Sequence, residues 1–144
     1  MLELDNILTK VTAMLHTLSD ILQTEQQILT NKSSINQLNE IINQKSKLLI
    51  ELKLLDEQRI KVSKQFEIQT PYSQVPELAK KWQKITETTK QLAQINRDNG
   101  MIIQNRLNIT EQTINHLRSL NNPVVYTNNG YQQNETISSK RAKV

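Results

Sequence analysis

The chain has 144 residues, 36% of them hydrophobic and only 3% aromatic, with a formal net charge of +4; the length suits roughly one domain. Two glycines, three prolines and no cysteine argue against a strand-rich fold, which needs many turns, and rule out disulfide or thiolate chemistry. So lean a composition suits a slim helical bundle, in which each helix buries only a stripe, better than a sandwich or an α/β domain.

The start, MLELDNILTK, has acids where an export signal has a basic region and an unbroken apolar run. No apolar stretch nears the ~20 residues of a bilayer span. A soluble protein, unexported by the general secretory route, is expected. The excess of Lys and Arg is interleaved with acids, as in ELKLLDEQRIK. That pattern reads as solvated helix faces rather than a patch for nucleic acid.

The first helix is expected over about 4–29, where apolar residues repeat in heptads. Leu4, Val11 and Leu18 fall at a, Ile7, Met14, Ile21 and Ile28 at d, and Leu8, Leu15, Leu22 and Leu29 at e. An a/d/e stripe is wider than a two-stranded seam and suits two neighbouring helices. Glu25 takes the next a position, a polar break that reads as a residue near a frayed bundle end rather than one with a register or binding role.

TNKSS breaks the pattern, and Ser34 followed by Gln37 reads as a capping box. The second helix is expected over about 35–68. Ile35, Leu38, Ile41, Ile42, Leu48, Leu49, Leu52, Leu55, Val62 and Phe66 keep the 3–4 spacing. Lys45 and Arg59 share that stripe, where long basic side chains lie along apolar surface and lift their charge outward. The short link predicts an antiparallel hairpin.

TPYSQVP ends the second helix, since its two prolines cannot continue one. Pro76 fits the first turn of the next. The third helix is expected over about 77–120. One face holds Leu78, Trp82, Ile85, Leu92, Ile95, Ile102, Ile103, Leu107, Ile109, Ile114, Leu117 and Leu120. Trp82 is expected in the core at the closed end of the bundle. Gly100 is expected at a bend or a close approach.

At 1.5 Å per residue the three helices would measure roughly 39, 51 and 66 Å, so the third would outrun the second by about ten residues, near 111–120. Asn96, Asn99, Arg106, Thr110 and Thr113 lace the apolar sector. Dry cores avoid unpaired polar groups, so the stripe resembles half of a wet, reversible interface with another molecule. Residues 121–144 lack a helical period and are rich in Asn, Ser and Thr. They are expected to be a disordered tail.

The expected fold is therefore all-α: an up-down-up three-helix bundle over 1–120 with a long last helix and a flexible tail over 121–144. Catalytic sets are missing. His16 and His116 have no second ligand at metal spacing, Gly100 and Gly130 form no phosphate loop, and no carboxylate pair stands out. Neither an enzyme nor a cofactor is expected.

Several segments carry a resemblance. They are EQQ at Glu25–Gln27, KSKLLIELKLLDEQR from Lys45 to Arg59, KWQKITETTKQLAQINRDNG from Lys81 to Gly100, and VYTNNG from Val125 to Gly130. In this order and at this length they resemble the FlgN family of flagellar type III export chaperones. The resemblance implies a cytoplasmic chaperone, mainly monomeric without its client. It would hold the hook–filament junction proteins FlgK and FlgL, prevent their premature assembly, and pass them to the cytoplasmic domain of the export-gate protein FlhA. The export ATPase complex is a further implied contact. The implied client face is the C-terminal part of helix three, with Ile102, Ile103, Leu107, Ile109, Ile114, Leu117 and Leu120. The tyrosine implied for gate docking corresponds to Tyr126, with Tyr131 as a departure from the family pattern. Two readings stay open beside it: a basic coiled coil that binds nucleic acid, and a structural oligomer.

Overall fold

The computed structural model describes residues 1–31 and 35–121. It contains α1 (Leu2–Thr30), α2 (Ile35–Gln65) and α3 (Pro76–Asn121), and no strand among the described residues. The chain divides into two units, Met1–Ile103 and Gln104–Val144. The capping box at Ser34 and the tail, with Tyr126 and Tyr131, lie outside the described residues.

In the first unit the helices run up, down and up. Lys81 meets Asp5, and Asn99 meets Leu22, so α3 follows α1 in the same direction. Lys45 meets Asn96, and Arg59 lies over Trp82, so α2 runs against α3. The core is drawn mostly from α1, whose Leu4, Ile7, Leu8, Val11, Leu15, Leu18, Ile21 and Leu22 are buried. Ile41, Leu48 and Val62 of α2, Tyr72, and Leu78, Ile85 and Leu92 of α3 complete it. Each such side chain, fully buried, contributes roughly 1.5–3 kcal/mol. The a and e positions of α1 are buried, whereas Met14 and Ile28 at d are only half-buried.

The helix ends follow local chemistry. Glu3 and Asp5 sit in the first turn of α1, where the helix dipole favours acids. Pro76 opens α3 as expected. The second helix stops at Gln65, three residues before the expected end. Glu67 takes a left-handed φ of 53°, its N–H donates to the Lys64 carbonyl, and the Ile68 N–H donates to the Ser63 carbonyl. This pair of bonds is a Schellman ending, and Ile68 folds back onto the core.

Some residues expected on the inward stripe of α2 face solvent instead: Ile35, Leu49 and Phe66 are exposed. Ile35 lies at the helix start and Phe66 just past its end, where a 3–4 spacing no longer specifies a face. Gly100 departs from its expectation of a close approach, since a Cβ added there meets nothing within 4 Å. Gly100→Ala is therefore expected to stabilise the protein by about 1 kcal/mol, measurable as a higher urea midpoint.

Candidate functional site

Three features could carry chemistry or recognition. The first is a polar cluster inside the bundle. Glu25 is fully buried, not at a frayed end. Lys45 Nζ donates to both of its carboxylate oxygens, at 3.1 and 2.9 Å, and to Asn96 Oδ1 at 2.9 Å. Asn99 Nδ2 donates to Glu25 Oε1 at 2.9 Å and to the Leu22 carbonyl at 3.0 Å. Asn99 Oδ1 is buried without a partner. Asn96 and Asn99, expected to wet an interface with another molecule, are instead bonded within the chain. Lys45 keeps its expected structural role, though its charge is turned inward to an acid.

The second feature closes the α2–α3 end of the bundle. After the cis Thr70–Pro71 bond, Tyr72 takes a left-handed φ of 63° and its side chain is fully buried. Arg59 Nη1 donates to its hydroxyl at 2.8 Å, and Ser63 Oγ lies 2.9 Å away. Its ring meets Trp82 edge-on, with centroids 5.7 Å apart. The Arg59 guanidinium lies 4.5 Å from the Trp82 ring centroid and donates to Asp56 at 2.7 Å. Burial works against the Arg59 charge, but the bonds from Asp56 and Tyr72 outweigh it and hold its pKa above the ordinary value. Trp82 thus packs at the closed end as expected. Tyr72 was not singled out in the sequence, although an aromatic between two prolines in so aromatic-poor a chain was a usable signal. This network is structural, with every group bonded to another group of the fold.

The third feature lies in the second unit. Along α3, Leu107, Ile109, Ile114, Leu117 and Leu120 are all exposed, Leu107 by 58% and Leu117 by 53%. At 100° per residue they share a sector of roughly 160°. Leu107, Thr110, Ile114 and Leu117 fall at a, d, a and d of a heptad. Thr113 Oγ1 is bonded to the Ile109 carbonyl of its own helix. Arg106 is half-buried and makes no hydrogen bond or ion pair among the described residues. Ile102 and Ile103, also expected on the client face, belong to the first unit and are half-buried.

A shallow groove of about 510 Å³ between α1 and α2 is lined by side chains such as Asp20, Thr24, Glu40 and Gln44. No group of three or more His, Cys, Asp or Glu side chains able to hold a metal occurs among the described residues. No described helix is long and apolar enough to cross a membrane.

Fold and surfaces together define a small all-helical protein whose longest helix carries an open aliphatic face. The family model described as FlgN protein matches residues 1–134, and the chain belongs to the FlgN family. It is similar to the flagella synthesis protein FlgN of Proteus mirabilis, with 31% identity over 143 residues, 99% of this chain and 98% of that protein. It is likewise similar to the flagella synthesis protein FlgN of Escherichia coli K12, with 30% identity covering 100% of both chains. The Yersinia enterocolitica protein of that name is 30% identical over 129 residues, 89% of this chain and 88% of its own. No solved structure matches the chain.

Proposed function

We propose that this FlgN-family protein is a cytoplasmic chaperone of the flagellar type III export system. It binds the hook–filament junction proteins FlgK and FlgL, keeps them from assembling early and delivers them to the cytoplasmic domain of FlhA. It acts by binding and catalyses nothing. The observation that carries this reading is the row of exposed aliphatic side chains at 107–120, where Leu107, Ile109, Ile114, Leu117 and Leu120 stand open to solvent. Contiguous apolar surface of this kind marks interaction sites, and an amphipathic helix is a common recognition element. Polar Arg106, Thr110 and Thr113 within the stripe dilute the apolar contact. The resulting affinity suits a protein that must release its cargo. The relatives' name, flagella synthesis protein, agrees with a role in building the same organelle.

Titration of purified FlgK and FlgL tests the reading. Ile114→Asp and Leu117→Asp should each weaken client binding about 30-fold or more, because each drives a charge into a contact centre. Both positions are exposed, so circular dichroism should be unchanged. Tyr126→Ala should leave client affinity intact and weaken capture by the FlhA cytoplasmic domain. Normal client affinity in both aspartate variants would remove the proposal.

A further inference from the structure

We infer that the stripe at 107–120 takes two helices of the client at once, with a client carboxylate placed at Arg106; the inference rests on the client-binding reading above. The argument is one of width. In the first unit the buried side of α1 runs from Leu8 to Ile21 around the helix, roughly 140°, and partners from both α2 and α3 cover it. The exposed stripe of the second unit is at least as wide, with Leu107 and Ile114 at one edge and Ile109 and Leu120 at the other, roughly 160° apart. One helix seated on the Leu107–Ile114 edge would leave Ile109 and Leu120 in water. A helix pair covers both edges, as α2 and α3 cover α1.

Charge identifies what the pair must carry. Around the helix Arg106 falls between the two edges of the stripe, and along the axis it sits at the N-terminal end, one residue before Leu107. It has no acid partner among the described residues. Enclosed by two helices, its guanidinium is desolvated and requires a carboxylate, which it can grip in bidentate fashion. A second copy of this chain is a poor occupant, because self-pairing sets Arg106 and Arg118 of each copy against a single carboxylate, Glu111.

The test uses the full-length chain and purified FlgK and FlgL, with affinity read by calorimetry and complex mass by light scattering. Ile109→Asp and Leu120→Asp should each weaken binding by about 30-fold or more, comparable to Ile114→Asp. Arg106→Glu should do the same, while Arg106→Lys, which keeps the charge but loses the fork, should fall between it and the wild type. If Ile114→Asp loses binding while Ile109→Asp and Leu120→Asp stay within about twofold, one helix occupies one edge and the inference is wrong. Two copies of this chain per complex would likewise overturn it, by making the second helix its own. Unchanged affinity in every variant would defeat the client-binding reading itself, and this inference with it.

Discussion

Glu25→Ala is expected to lower the unfolding free energy by roughly 3 kcal/mol, read from urea denaturation followed at the helical band. Removing one partner of a buried ion pair is strongly destabilising, about 3–5 kcal/mol, because the other charge stays behind. Lys45 keeps Asn96 as an acceptor, and its side chain is 16% exposed, which favours the lower part of that range. Asn99 loses one of its two acceptors as well. The companion variant separates the pair from its parts. Glu25→Leu with Lys45→Met replaces both charges with apolar groups of similar size, and such swaps are often neutral or stabilising. The double variant should therefore recover most of the loss. A double variant less stable than Glu25→Ala would show that the cluster contributes net stability and does not merely specify packing.

Tyr72→Ala is the second large effect, expected at about 3–5 kcal/mol, the range for emptying a buried aromatic site. Tyr72 holds the segment between α2 and α3 against the bundle, and three partners depend on it: Arg59, Ser63 and Trp82. Tyr72→Phe keeps the ring and its edge contact with Trp82, and removes only the hydroxyl. It leaves a buried guanidinium donor and a buried Ser63 hydroxyl each with one hydrogen-bond partner fewer, a loss of about 1–3 kcal/mol. Thermal unfolding of the two variants should therefore rank alanine well below phenylalanine, and phenylalanine below the wild type. Equal midpoints for phenylalanine and wild type would mean that the hydroxyl contributes nothing to holding the closed end.

The backbone of this fold could be read from spacing alone. Heptads fixed α1 because eleven apolar residues from Leu4 to Leu29 repeat with few exceptions. Proline chemistry fixed the start of α3, since Pro76 suits the first helical turn. Polar groups were harder. Glu25, Asn96 and Asn99 looked like breaks in an apolar seam, because a single sequence shows a polar residue but not the partner that neutralises it. The partners come from other helices, 20 to 77 residues away, and no local pattern links them. The end of α2 was missed for a related reason. A Schellman ending normally announces itself by glycine, and here Glu67 adopts the left-handed conformation instead. The aliphatic face at 107–120 was legible because periodicity survives where packing partners do not.

Trp82 is the only tryptophan in the chain, and it lies under Arg59 and beside Tyr72. The stretch from Gln104 to Asn121 contains no aromatic ring other than His116. Tryptophan emission, excited apart from tyrosine, therefore reports on one place, the junction of α2 and α3, while far-ultraviolet ellipticity reports on every helical turn. A fluorimeter and a polarimeter aimed at the same sample would watch two different parts of the molecule. Melting confined to the exposed aliphatic segment would dim the second signal and leave the first untouched.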